Sequence, residues 1–112
     1  MSTVRLTAAE AVVRFLAAQR VEAPGGEAPL FGGVFAIFGH GNVAGLGEAL
    51  HRHRERLPTF RAPNEQGMAH AALPYAKAPL RRRMMAATPS IGPGAPHLVT
   101  APATAPAHRL PV

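Results

Sequence analysis

Apolar residues recur along this chain with helical spacing in some stretches and as short unbroken runs in others, and the two kinds alternate. Thr7-Ala8-Ala9-Glu10 reads as a capping box: the Thr hydroxyl can accept from the backbone three residues on, and the Glu can reach back. Ala8, Ala11, Val12, Phe15 and Leu16 follow at helical spacing, with Arg14 and Gln19 opposite, which predicts a helix from Thr7 to Arg20. Glu22 to Leu30 is rich in Gly and Pro and reads as a connection. Gly33-Val34-Phe35-Ala36-Ile37-Phe38 is a continuous apolar run bounded by glycines, as expected of a strand buried on both faces. Gly39-His40-Gly41-Asn42 turns the chain. Asn42 is placed to cap a helix through Val43, Leu46, Ala49 and Leu50 that ends in the charged stretch His51 to Arg56.

Leu57 to Ala62 supplies a short second strand, and Asn64 caps a helix running to about Lys77. After the basic corner Arg81-Arg82-Arg83, Met84 to Thr88 reads as a third strand, and Ser90-Ile91-Gly92-Pro93-Gly94 as a second glycine turn. Leu98 to Arg109 has helical alanine spacing broken by Pro102 and Pro106. Pro74 falls inside the preceding helix. An interior proline removes a hydrogen bond and costs about 3 kcal/mol, so these positions predict interrupted helices and a loosened fold. The alternation of helix and strand predicts an α/β fold with a parallel sheet and flanking helices. Ligands on such sheets bind at the carboxyl ends of strands, where both glycine turns and Glu65 fall.

Composition narrows the chemistry. The chain has 112 residues, enough for at most one small domain, and no cysteine, which excludes disulfides, thiolate metal sites and cysteine nucleophiles. It has no Asp, and Glu65 is the only acidic side chain after Glu55. A Ser-His-Asp triad is therefore unavailable, and Ser90 lacks the flanking pattern of a nucleophile elbow. The net charge of +6 comes almost wholly from Arg. It permits a small basic protein that meets nucleic acid through its Arg clusters, but no aromatic platform accompanies Arg81-Arg82-Arg83, which reads instead as a solvated corner. His51 and His53 stand two apart on a charged stretch and read as a solvated face. His40, between two glycines at a strand end, can face a ligand. The glycine turns match neither a phosphate-binding loop with its Lys nor a dinucleotide fingerprint. No apolar run is long enough to span a bilayer, and the N-terminus does not read as a signal peptide, so a cytoplasmic protein is expected.

Four blocks, Gly33 to Gly47, Asn64 to Lys77, Thr88 to Thr100 and Ala101 to Val112, together resemble the N-terminal pyrimidine-binding domain of thiamine diphosphate enzymes of the acetolactate synthase type. Ala71-Ala72-Leu73-Pro74-Tyr75-Ala76 matches that family's Ala-Ala-x-x-Tyr-Ala pattern, and Ser90-Ile91-Gly92-Pro93-Gly94-Ala95 resembles its next block. Phe35 to Val43, Asn64 to Ala72 and Arg81-Arg82-Arg83 resemble one subfamily, the decyclizing trihydroxycyclohexanedione acylhydrolases of bacterial inositol breakdown. The resemblance implies that residues 1–112 form part of a pyrimidine-binding domain, without the central and diphosphate-binding domains. It implies thiamine diphosphate and magnesium as cofactors of the complete enzyme, a cyclic diketone derived from a polyol as substrate, and at least a dimer. Glu65 would be the catalytic acid, contacting the aminopyrimidine ring and favouring the tautomer that removes the thiazolium proton. Burial beside an apolar dimer interface would raise its pKa. His40 and Asn42 would contact substrate. An acetolactate synthase-like carboligase or decarboxylase is the alternative within the family. A chain without Asp cannot carry the family's Gly-Asp-Gly metal motif, so the isolated chain is expected to be inactive.

Overall fold

The computed structural model describes residues 2–112. Helix α1 spans Ala8–Ala18 and leads into a hairpin of β1 (Arg20–Ala23) and β2 (Gly26–Pro29). Strand β3 is Phe31–Ala36; a π-helical turn, Val43–Gly47, then runs into α2, Glu48–Arg52. Strand β4, Thr59–Phe60, precedes α3, Glu65–Lys77; β5 is Met84–Thr88, and two short 3₁₀ turns lead into α4, Thr100–His108. Strands β4, β3 and β5 form a parallel sheet in that order, with Val34 opposite Thr59 on one side and Ala86 on the other. The expected α/β architecture is therefore present, with its three strands in the expected order along the chain.

The sheet is flanked by helices, although Phe60 of β4 stays nearly half exposed. Val13 of α1, Ala49 and Leu50 of α2, and Leu57 pack on Val34 and Ala36 of β3. The remaining helices, α3 and α4, pack together on the side of β5, burying Met68, Ala69, Ala72, Ala76, Ala101 and Ala105. The many alanines let these elements approach closely, at the cost of little apolar area per residue. The chain leaves central β3 for β4 on one side and then crosses to β5 on the other. The carboxyl end of β3 is thus the point at which the strand order reverses, the usual position of a ligand crevice in such sheets.

Several local expectations change. The stretch Glu22 to Leu30, expected as a plain connection, contains most of the β1–β2 hairpin, with Glu22 opposite Glu27. Its strands are only four residues long and at most half-buried, and the alternation of Arg20-Val21-Glu22-Ala23 is too brief to stand out; Pro24 and Gly25, the latter at φ +96°, make the turn. Pro74 does not interrupt α3, which continues until the Ala78 N–H donates to the Pro74 carbonyl at 3.0 Å. Burial of Leu73 and Ala76 on either side of it holds that turn in place. Pro102 sits in the first turn of α4, where backbone N–H groups have no partner within the helix. Pro106 is interior and tolerated; Arg81 donates from Nε to the Arg109 carbonyl at 3.1 Å and from Nη2 to the His108 carbonyl at 3.3 Å, satisfying the end of α4.

At the start of α1 the Thr7 hydroxyl accepts from the Glu10 N–H at 3.1 Å, as expected of a cap, but the Glu10 carboxylate does not reach back. It turns instead to Arg14 at 3.0 Å, Arg52 at 3.0 Å and His53 at 2.7 Å. His53 is consequently part of a charge cluster joining α1 to α2, not of a solvated face, while His51 is exposed as expected.

Candidate functional site

Three loops meet at the carboxyl ends of the parallel strands. The first, residues 37–42, follows β3; the second, residues 61–64, follows β4 and delivers Glu65; the third, residues 89–94, follows β5. Asn64 has the extended backbone of a cap, and its Oδ1 accepts from the Gly67 N–H at 2.7 Å. This fixes Glu65 as the first residue of α3, where a carboxylate is favoured by the helix dipole. The Glu65 side chain crosses to the β5 loop. Its Oε1 accepts from the Ser90 hydroxyl and from the Ser90 N–H, the latter at 3.3 Å. A β-carbon at residue 94 would collide with both the Glu65 carboxylate and the Ser90 hydroxyl, so glycine at that position is what lets the pair form.

The first and third loops are also locked together. Carbons added at Gly39 and Gly41 would press on Ser90 Cβ at 3.2 Å and Ile91 Cγ2 at 2.6 Å. Asn42 does not cap the helix after it, contrary to expectation. Its Nδ2 donates to the Ile37 carbonyl at 3.1 Å and the Pro89 carbonyl at 2.9 Å, and its Oδ1 accepts from the Gly39 N–H at 2.8 Å. The amide is thus committed to backbone groups of both loops. His40 stands exposed at the tip of the first loop.

Glu65 is buried, yet its pKa lies below the ordinary glutamate value. The Ser90 hydroxyl bond contributes most, followed by the residue's own backbone N–H; burial opposes them, and the Ser90 N–H and the charge of His97 add smaller downward contributions. The upward shift expected from burial is therefore reversed in this single chain, because donors to the ionised form outweigh desolvation. A carboxyl held in this way can accept or return a proton at its second oxygen while the first stays fixed. Among the described residues, no group of three or more His or Glu side chains is arranged to hold a metal ion. A groove of about 160 Å³ lined by Ala69, Ala87, Leu98, Ala101, Pro102 and Val112 has only apolar side chains and brings no chemistry to these loops.

Comparison with known proteins gives this geometry a context. No family model matches the chain. Over 110 residues, 98% of the chain, it is 52% identical to the 3D-(3,5/4)-trihydroxycyclohexane-1,2-dione hydrolase of Shouchella clausii (strain KSM-K16), of which it spans 17%. The hydrolase of the same name from Geobacillus thermodenitrificans (strain NG80-2) is 52% identical over 112 residues, all of this chain and 18% of that protein. That of Bacillus subtilis (strain 168) is 49% identical over 109 residues, 97% of this chain and 17% of its own length. This chain is homologous to one segment of the trihydroxycyclohexanedione hydrolases. Identity near one half along the whole chain agrees with the subfamily resemblance carried by Phe35 to Val43 and Asn64 to Ala72.

The structure brings Glu65 and Asn42 to adjoining loops, joined through the Pro89–Ser90 peptide, and leaves His40 at their exposed edge. Sequence reasoning missed two members of the cluster, Ser90 and Gly94. Both lie in the block Ser90 to Ala95 that carried part of the resemblance, so a signal was present. Testing Ser90 only as a nucleophile concealed its role as a donor to a carboxylate 25 residues away.

Proposed function

We propose that this chain supplies the pyrimidine-contacting part of a thiamine diphosphate-dependent enzyme that hydrolyses 3D-(3,5/4)-trihydroxycyclohexane-1,2-dione, a step of inositol breakdown, with Glu65 as the acid. The observation that carries this reading is the buried Glu65 carboxyl at the head of α3, held at the strand-order reversal of a parallel sheet. Near-half identity to hydrolases of that name supports the substrate. The site fits the ring end of the cofactor: a fixed carboxyl at a helix start, with Gly94 clearing the space beside it. It does not fit the other end, since the described residues offer no cluster for magnesium, a hard cation that takes oxygen ligands.

When bound, thiamine diphosphate supplies the carbon nucleophile for cleaving a carbon–carbon bond next to a carbonyl. The Glu65 carboxylate, kept ionised by its bonds from Ser90, would share a proton with the N1′ ring nitrogen and so bias the ring's tautomer. His40, exposed at the tip of the first loop, is free to meet a substrate hydroxyl. Asn42, with its amide committed to backbone, shapes that loop; any substrate contact it makes would use its remaining Oδ1 lone pair. The ligands of magnesium and diphosphate belong to other parts of a complete, cytoplasmic enzyme that is at least dimeric.

The test is a chimera in which this chain replaces its matching segment in a trihydroxycyclohexanedione hydrolase. Ring opening of the diketone and exchange of the cofactor's thiazolium proton are followed with Glu65 and with Glu65→Gln. Retained activity with Glu65 and its collapse in Glu65→Gln are expected; undiminished proton exchange in Glu65→Gln would sink the assignment. The isolated chain should show no saturable uptake of thiamine diphosphate and magnesium by micromolar calorimetry. One hydrogen-bonded carboxyl falls short of the roughly 4 kcal/mol that even a millimolar ligand requires.

A further inference from the structure

We propose that Asn42 and Ser90 form a positioning relay for Glu65, which holds Oε1 as a permanent acceptor and leaves Oε2 as the oxygen that carries the exchangeable proton. The relay runs through one peptide group. Asn42 Nδ2 donates to the Pro89 carbonyl at 2.9 Å, and the N–H of that same Pro89–Ser90 peptide donates to Glu65 Oε1 at 3.3 Å. A donor on the carbonyl side of an amide polarises it and strengthens the bond its N–H makes, by about 10–30%.

The directions in this relay are fixed. Asn42 must present oxygen to the Gly39 N–H, which can only donate, and nitrogen to the carbonyls of Ile37 and Pro89, which can only accept. The Ser90 N–H is likewise a donor only. Oε1 of Glu65 therefore accepts whether or not the carboxyl is ionised, and the Ser90 hydroxyl adds a second donor to the same atom. A proton placed on Oε1 would compete with the Ser90 N–H, which cannot turn to accept, whereas one on Oε2 leaves both Ser90 bonds in place. The absence of a β-carbon at residue 94 keeps this contact closed, and the packing of Gly39 against Ser90 sets the separation of the two loops.

The consequence for catalysis rests on the reading of Glu65 as the cofactor acid: the ring nitrogen would be met by Oε2, while Asn42 and Ser90 set the angle from which it is met. The relay itself requires no cofactor and is testable in this chain alone. The full chain, labelled with ¹³C-glutamate and ¹⁵N, is titrated by NMR from neutral to acid pH without added ligand. The Ser90 amide proton should move upfield with the same midpoint as the Glu65 carboxyl carbon as that group is protonated. Ser90→Ala should raise the Glu65 midpoint toward the ordinary glutamate range, Ser90→Thr should restore it, and Asn42→Ala should raise it by a smaller step. A Ser90 amide that ignores the Glu65 titration, or a midpoint unchanged in Ser90→Ala, would overturn the relay.

Glu65→Gln, which preserves size, gives a second route at neutral pH where acid or Ser90→Ala unfolds the chain. An upfield displacement of the Ser90 amide in that variant supports the relay, and an unmoved amide overturns it. Loss of the coupling at Ser90 would leave the cofactor assignment standing. Intact coupling, with full proton exchange in the Glu65→Gln chimera, would instead remove the cofactor assignment and leave the relay.

Discussion

Glu10 and Glu65 are buried to the same degree, each 7% exposed, and each releases its proton more readily than a free glutamate. Their surroundings differ in kind. Glu10 lies between α1 and α2 with Arg14, Arg52 and His53 on its two oxygens. Glu65 lies at the loops with the neutral Ser90 hydroxyl and the Ser90 N–H on one oxygen. A carboxyl bonded on both oxygens by two guanidiniums and an imidazole is held ionised and ties two elements together; removing it takes that partner from Arg14 and His53 and leaves Arg52 with Glu48. A carboxyl held by neutral donors through one oxygen is fixed in place but keeps the other for proton exchange. Burial and a depressed pKa are common to both, so neither marks a catalytic acid; the charge and number of the partners separate the two.

The contrast can be broken most directly at the level of chemistry. In the chimeric hydrolase, Glu65→Gln should slow exchange of the cofactor's thiazolium proton by on the order of 10²–10⁴-fold, the range of a lost acid or base. Glu10→Gln should leave that rate within a few-fold, and comparable losses from the two variants would erase the distinction.

Gly94→Ala places a methyl group against the Glu65 carboxylate and the Ser90 hydroxyl. It should cost about 1–3 kcal/mol of stability in chemical denaturation, the usual penalty of overpacking. It should also return the Glu65 titration toward its ordinary range. Unchanged stability together with an unchanged midpoint would mean that the loops have more slack than the structure shows.

Glu10→Gln should lower the thermal midpoint of the isolated chain more than Glu65→Gln does, because it strips a shared partner from Arg14, Arg52 and His53. The reverse order, read by circular dichroism, would make the loop cluster the more important tie.

The smallest effect is on acid stability. Both glutamates have a folded pKa below their ordinary value of 4.5. Their contribution is therefore in place above that value and is lost as pH falls through the folded pKa values. Glu10→Gln should flatten the acid limb of the stability curve more than Glu65→Gln; identical limbs would show that neutral donors and cations are equivalent here.

The helix caps at Thr7 and Asn64 and the apolar strands were legible because each depends on neighbours a few residues away, whereas the cap expected at Asn42 was lost to bonds with the β5 loop. Thr7 and Asn64 accept from N–H groups three residues on, and the apolar run of β5 occupies Met84–Thr88 as its composition suggested. The β1–β2 hairpin escaped because its strands are four residues long and bury little. The prolines misled in the opposite direction. The local cost at Pro74 is real, but α3 is held by buried Met68, Ala69, Ala72, Leu73 and Ala76, which propensity within one segment does not weigh.

By itself the sequence determined the alternation of helices and strands, the glycine turns at strand ends, the scarcity of acids that made Glu65 conspicuous, and the family resemblance. Only the tertiary structure decided which carboxylate is clamped by charged side chains and which by neutral donors. Glu10 meets Arg52 and His53 across 42 and 43 residues, Glu65 meets Ser90 across 25, and Asn42 reaches Pro89 across 47. Periodicity and spacing report the faces of single elements. The partners of a buried charge are set by how those faces pack, and so by the whole chain at once.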